Sequence, residues 1–207
     1  LAKDFKKMGL KDASMDKWGY VMATLPANTK KKVPPVAFIS HVDTSPAVTG
    51  KNIKPITHKK YKGGDIKLPK GGWVIKVKDN PDLKTMKGYY IITTDGTTLL
   101  GADNKAGVAE IMDAVNYFLT HPEVKHGPIK ICFTPDEEVG RGTEKINLKK
   151  LGAKYAYTVD GSSRGEVESE TFRKREMHRA RPNGQTLPKL DRIAPASSAP
   201  PDHSAAT

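Results

Sequence analysis

The stretch IKICFTPDEEVGRG, residues 129–142, joins an apolar run to three consecutive acidic residues. The run 129–134 has the continuous apolar character of a strand that is buried on both faces. Asp136, Glu137 and Glu138 follow a proline directly, and no lysine or arginine lies within the triplet. Because neighbouring carboxylates repel each other, the stretch predicts a buried strand whose end lies next to a cation.

Three further predicted strands end in side chains of the same kind. His41 and Asp43 follow the run 36–40, Asp103 follows the run 89–94 and its turn, and Asp160 follows the run 155–159. Ligands of open α/β sheets collect beyond the carboxyl ends of the strands, so we expect these side chains to converge. Carboxylates and an imidazole at one point require a cation, and this mixture of donors favours zinc.

Each of these residues also has a simpler interpretation. Asp103 could cap the helix that starts near it, and Asp160 could belong to an Asp-Gly turn. The two glutamates could be solvated loop charges, and His41 could be a hydrogen-bonded histidine at a strand end. For each residue taken alone, the simpler interpretation is sufficient to explain its presence. The repetition at four strand ends favours the metal site.

The order of predicted elements indicates the fold class. A helical stripe runs from Lys105 to Leu119, and residues 1–9 have the pattern of a helix that ends at Gly9. Strands are predicted at 20–25, 36–40, 73–77, 89–94, 129–134 and 155–159, and 155–159, like 129–134, is predicted to be a buried strand. Strands that alternate with a helix predict an α/β sheet flanked by helices on both faces. Residues 51–88, rich in Gly, Lys and Pro, are expected to form a surface excursion.

Composition restricts the class of function. The chain has 207 residues and a formal net charge of +12, but its lysines are scattered, which favours solvated surfaces over a nucleic-acid site. No apolar stretch is long enough to span a bilayer, so no membrane partner is expected. The single cysteine, Cys132, cannot form an internal disulfide, which fits a cytoplasmic location.

The sequence changes character after Phe172. Residues 173–207 are rich first in Arg and then in Pro, Ala and Ser, without apolar periodicity. Such a segment buries too little apolar surface to offset its ordering entropy, so it is predicted to be a disordered tail. Residues 1–172 are predicted to form one partial domain. Because the chain begins at Leu1 rather than Met, we expect a missing N-terminus.

Four motifs together resemble the peptidase T family of tripeptide aminopeptidases, within the larger group of two-zinc peptidases and deacylases related to aminoacylase. They are SHVDTSP (40–46), TTDGTTLLGADNKAGVAEIM (93–112), FTPDEEVGRG (133–142) and YTVDG (157–161). The resemblance implies two zinc ions per active site and removal of the N-terminal residue from tripeptides by metal-activated water. It also implies homodimers that form through a second domain.

The resemblance assigns a role to each site residue. His41 and Asp160 match ligands of the first zinc, and Asp103 matches the carboxylate that bridges both ions. Glu138 matches a ligand of the second zinc, and its neighbour Glu137 matches the general base. Asp43 matches the aspartate that orients the histidine. It also implies a cis peptide bond after Asp103. These roles agree with geometry, since residues two apart on an extended chain point to the same side and Asp43 can then accept the other ring N–H of His41.

The chain departs from the family pattern in its last part. The family's second zinc takes a histidine from far beyond residue 172, and the second domain, which supplies dimer contacts and a lid, is expected to be missing through truncation or a frame shift. His178 and His203 are poor replacements, because a disordered segment must first be ordered. We therefore expect one moderate zinc site, at His41, Asp103 and Asp160, and little peptidase activity.

Two alternatives stay open. A related dipeptidase or N-acyl amino-acid deacylase would use the same chemistry, although the extended 93–112 motif favours the tripeptidase. A non-catalytic basic binding protein on the same scaffold would account for the charge of +12. Such a protein has no need for the six site residues, so the hydrolase is favoured.

Overall fold

A computed structural model describes residues 1–160. The predictions for residues 173–207, including His178 and His203, lie outside this range. The helices are α1 (Ala2–Lys7), α2 (Ala102–Thr120) and α3 (Leu148–Leu151). The strands are β1 (Ser14–Met15), β2 (Val21–Leu25), β3 (Val36–His41), β4 (Ile56–His58), β5 (Ile66–Lys67), β6 (Val74–Ile75), β7 (Ile91–Thr93), β8 (Ile129–Thr134) and β9 (Tyr155–Thr158).

A mixed five-stranded sheet forms the centre of the fold, in the order β1-β2-β8-β3-β9. The strands β8, β3 and β9 run parallel, with Phe38 of β3 in register with Ile131 on one side and Tyr157 on the other. The strands β1 and β2 continue the sheet in antiparallel orientation. The α/β fold class predicted from the sequence is therefore confirmed, and the carboxyl ends of three parallel strands meet at one edge.

Alternation along the central strands divides the core into two apolar clusters. Ile131 and Phe133 point to one face, where they pack with Phe5 of α1 and with the apolar stripe of α2. Cys132 points to the other face, where Leu151 of α3 covers it. Because residues 131–134 of β8 are all buried, both faces of the sheet are covered along this part of the strand.

Two of the strand predictions require correction. The predicted strand 73–77 is reduced to two residues, which pair only with β5. The predicted strand 89–94 is β7, which pairs with β4 in a separate two-stranded sheet rather than in the central one. Both lie in or next to the Gly-, Lys- and Pro-rich excursion, whose short strands pair with one another or with β7 rather than with the central sheet.

The third correction concerns β9, predicted as a buried strand. All four of its residues are exposed, with Tyr155 at 50% and Tyr157 at 56%. The reason is its position at the sheet edge, where the described part of the chain places nothing beyond it. Apolar side chains make this run a strand, but only neighbouring elements can bury it. None of the helices in residues 1–160 combines the length and apolar character that crossing a bilayer requires.

Candidate metal centre

The predicted site residues stand at the carboxyl edge of the central sheet. His41 is the last residue of β3, and Asp160 follows β9 by two positions. Asp103 lies in the first turn of α2, which packs against β3. These three side chains come from separate segments and meet because β3 and β9 run parallel and the loop that follows β7 ends at the same edge.

The three side chains form one compact group of donor atoms. Each of His41, Asp103 and Asp160 offers one ligand atom, and these atoms all lie within 4.8 Å of one another. His41 Nε2 is 3.0 Å from Asp103 Oδ1 and 3.6 Å from Asp160 Oδ2. Within residues 1–160 this is the only group of its kind. It contains three of the four predicted metal ligands.

The two predicted glutamates occupy different positions around this group. Glu137 places Oε2 3.8 Å from His41 Nε2, with its side chain half exposed. Glu138, predicted as a ligand, is not a member of the three-residue group. Its backbone N–H instead donates to Asp43 Oδ2 over 3.0 Å. The 3₁₀ turn Glu137–Val139 therefore presents one glutamate to the histidine and is attached to the end of β3 through the other.

The segment after this turn has a second attachment. The buried hydroxyl of Tyr20 donates to the carbonyl of Gly142 over 2.9 Å and accepts the N–H of Lys145 over 3.2 Å. Tyr20 directly precedes β2. Residues 136–145 are thus joined to the sheet at two places, one on each side of Gly140.

Asp43 contacts His41 differently from the predicted arrangement. The ring Nδ1 is 3.1 Å from the backbone carbonyl of Asp43, which takes the hydrogen bond, and 3.3 Å from the carboxylate Oδ1. That Oδ1 atom is buried and accepts no hydrogen bond from the described residues. The atom that orients the His41 ring is therefore the backbone carbonyl oxygen of Asp43, rather than its carboxylate. With Nδ1–H donated there, Nε2 is the ring nitrogen that faces the carboxylates of Asp103 and Asp160, so it is the atom that would bind a metal.

The electrostatics of the group reflect the crowding of carboxylates. His41 is 2% exposed. Burial lowers its pKa, but the hydrogen bond with Asp103 and the charges of Asp160, Asp43 and Glu137 together outweigh burial and raise the pKa of His41. Burial also raises the pKa of Asp160, and the charge of Asp103 raises it further. A dication among these groups would relieve the same repulsion.

The donor set fits a catalytic metal. One imidazole nitrogen and two carboxylate oxygens provide three protein donors, which is the number that catalytic metal sites commonly take from the protein while a further position stays open for solvent or substrate. The Asp103 side chain is 75% exposed, which opens the group to the outside. His41, on the opposite side, is enclosed by the sheet.

The start of α2 determines where Asp103 points. Asp103 and Asn104 have non-helical backbone angles and are joined by the predicted cis peptide bond. Asn104 Oδ1 accepts the N–H of Gly107, so Asn104 caps the regular helix that begins at Lys105. The simpler interpretation of Asp103 as the capping residue is wrong. Its carboxylate is left to face His41.

Sequence reasoning missed two residues at this junction, Ser40 and Asn104. Both are buried, and the Ser40 hydroxyl donates to the carbonyl of Asn104. The available signal was Gly107, since a glycine inside a helical stripe often marks a close approach of another backbone. That signal identifies crowding at the helix start, but not the residues that form the contact.

Comparison with known proteins agrees with the motifs. No protein-family model matches the chain. Peptidase T of Geobacillus sp. strain WCH70 is 54% identical over 173 residues, which are 83% of this chain and 42% of that protein. The chain therefore spans less than half the length of the curated relatives that it matches.

Solved structures give the same result. The aminopeptidase PepT from Bacillus cereus is 29% identical with a TM-score of 0.55, over 78% of this chain and 36% of that one. A tripeptidase from Staphylococcus aureus is 26% identical with a TM-score of 0.55, over the same shares of the two chains. The resemblance to peptidase T is confirmed, together with the α/β fold class.

Proposed function

We propose that the protein is a metal-dependent aminopeptidase that acts on tripeptides, in which residues 1–172 form part of the catalytic domain. The observation that carries this proposal is the meeting of His41, Asp103 and Asp160 within 4.8 Å at the carboxyl edge of the sheet. The identity of 54% with a Peptidase T supports it. The expected substrates are short peptides in the cytoplasm.

His41, Asp103 and Asp160 would hold the ion, and their one nitrogen and two oxygen donors favour zinc. When bound, such an ion polarises a carbonyl oxygen and lowers the pKa of water. The side chains that would hold it lie close together, with His41 Nε2 within 3.6 Å of both carboxylates. This spacing supports a single ion shared by the three side chains.

Glu137 is the proposed general base. Its Oε2 lies 3.8 Å from His41 Nε2, so it borders the ligand group. In peptide hydrolysis Glu137 would take a proton from the attacking water at Oε2 and pass it to the amine that leaves. The carbonyl of Asp43 fixes the ring of His41 meanwhile, and the Asp43 carboxylate holds the turn that carries Glu137.

A second ion would rely on Asp103 and Glu138, which are two protein ligands where zinc commonly takes three or more. Glu138 lies outside the three-residue group. We therefore propose that a polypeptide of these 207 residues binds one zinc ion with moderate affinity and hydrolyses tripeptides slowly or not at all. Homodimerisation, which the resemblance implies, is proposed only for the longer relatives.

Calorimetric titration of the metal-free protein with Zn²⁺ tests the site. We expect one equivalent for the wild type, and loss of tight binding in His41→Ala and Asp103→Asn. Asp113→Asn, an exposed acid on the same helix, is the matched control and should bind as the wild type does. Absence of binding by the wild type would contradict the metal site.

Activity is measured on a panel of tripeptides, dipeptides and N-acyl amino acids with zinc present. Rapid release of the N-terminal residue from tripeptides, or two tight equivalents of zinc, would contradict the single-ion proposal. Turnover of N-acyl amino acids but not of peptides would contradict the peptidase proposal and support the deacylase alternative.

A further inference from the structure

Asn104 lies where the three ligand-bearing segments meet. Its side chain is buried, and Nδ2 donates to the carbonyl of Val159 over 2.8 Å. Its own backbone carbonyl accepts the hydroxyl of Ser40 over 3.1 Å. Val159 directly precedes Asp160, Ser40 directly precedes His41, and Asn104 itself follows Asp103. Each ligand is therefore one residue away from an atom that takes part in this junction.

Gly107 completes the junction and shows how closely it is packed. Its N–H donates to Asn104 Oδ1 over 3.2 Å. A Cβ atom at this position would overlap the carbonyl oxygen of Val159 and would lie 2.8 Å from Ser40 Oγ. The first turn of α2 thus contacts the ends of β3 and β9 directly, with no space for a side chain or a water between them.

We propose that Asn104 is a positioning residue of the metal site, which sets the spacing of His41, Asp103 and Asp160 by joining their three segments. This inference rests on the proposed metal-binding function. Hydrogen bonds behind metal ligands contribute to affinity because they reduce the number of arrangements that the ligands can adopt. Asn104 differs from an ordinary orienting partner in that it acts on three ligands through the main chain.

Replacement of Asn104 by Ala removes both side-chain hydrogen bonds and leaves the Val159 carbonyl without its donor. Ser40→Ala is a milder variant, since it removes only the bond to the Asn104 carbonyl. Leu25→Ala is the matched control for stability. Leu25 is buried in the core and pairs with Ile129 at the opposite end of the sheet from the site.

The experiment titrates Co²⁺ into the metal-free full chain of the wild type and the three variants. The visible absorption spectrum reports ligand geometry, and urea denaturation of the metal-free proteins reports stability. We expect Asn104→Ala to weaken Co²⁺ binding roughly 10- to 100-fold and to change the spectrum, as is usual for residues behind metal ligands. Ser40→Ala should give a smaller loss, and Leu25→Ala should bind as the wild type does although it is less stable.

Equal affinity and equal spectra in the wild type and Asn104→Ala would overturn the inference and leave the proposed function intact. Failure of the wild type to bind Co²⁺ would overturn both. A loss of affinity in Leu25→Ala as large as that in Asn104→Ala would show that affinity only follows stability, and would also overturn the inference. If Asn104→Ala does not fold, an unchanged Co²⁺ affinity in Ser40→Ala would overturn the inference.

Discussion

The two strands on either side of β3 contrast in their burial. Both β8 and β9 run parallel to β3, and both lead to acidic residues at the candidate site. Ile131 of β8 is fully buried, whereas Tyr157 of β9, opposite the same Phe38, is more than half exposed. The contrast shows that an apolar run determines the strand, while neighbouring elements determine how deeply it is buried.

The strand β9 is held mainly through its backbone. At its ends the N–H of Lys154 donates to Pro35 over 2.9 Å, and the N–H of Val159 donates to Ile39 over 2.7 Å. The side-chain amide of Asn104 then donates to the carbonyl of Val159. In β8, by contrast, side chains pack on both faces. We therefore expect substitutions to affect the two strands through different interactions.

The largest difference is expected from truncation of one side chain on each strand. Ile131→Ala should lower the free energy of unfolding by about 2–5 kcal/mol, since it opens a cavity in the core. Tyr157→Ala, which occupies the equivalent register position in β9, should cost less than about 1 kcal/mol because the ring is largely in solvent. Urea denaturation monitored by circular dichroism measures both. Similar losses for the two variants would contradict the contrast.

A smaller effect is expected where α2 contacts the end of β9. Gly107→Ala should destabilise the protein by about 1–3 kcal/mol, because the added methyl group overlaps the carbonyl of Val159. Gly50→Ala is the matched control. Its Cβ would meet only the Thr44 hydroxyl, at 3.2 Å, and that side chain can move. Thermal unfolding should separate the two variants, and a neutral Gly107→Ala would mean that this end of β9 is loosely attached.

The smallest perturbation probes accessibility without truncating the core. Burial, and to a smaller extent the charge of Asp16, raises the pKa of Cys132 in β8 to about 12. At pH 8 roughly one thiol in ten thousand would then be ionised, so Cys132 should resist a thiol reagent until denaturant is added. Thr158 occupies the β9 position that corresponds to Cys132 across Ile39, and it is exposed.

Thr158→Cys in a Cys132→Ala background provides the comparison. Its thiol should react within minutes under native conditions, because an exposed thiol keeps a pKa near its ordinary value of about 8.5. The colour released by the reagent gives the rate for both proteins. Rapid reaction of Cys132 in the native wild type would show that β8 is less well covered than its packing indicates.

The sequence predicted β3, β8 and α2 well, because their apolar patterns coincide with real burial. It also predicted which strand ends converge, since parallel strands place their carboxyl ends together and the acidic residues follow them directly. His41, Asp103 and Asp160 meet as predicted. Coverage of β9 could not be predicted, because it depends on what lies beyond the edge of the sheet.

Other features escaped because they have no distinct pattern in the sequence. The acceptor for His41 Nδ1 is a backbone carbonyl, which every residue possesses. Asn104 and Ser40 resemble ordinary polar residues at a helix start and a strand end. The placement of β7 in a separate two-stranded sheet depends on pairing with β4, whose short run 56–58 has no strong strand character.

The double attachment of residues 136–145 has a consequence for charge. The protein carries 35 lysine and arginine residues against 23 acidic ones, so a glutamate on an unrestrained loop would have many possible cationic partners. The hydrogen bonds to Asp43 and Tyr20 remove that freedom. These backbone attachments favour the position of Glu137 beside His41 over ion pairs with the surrounding lysines and arginines.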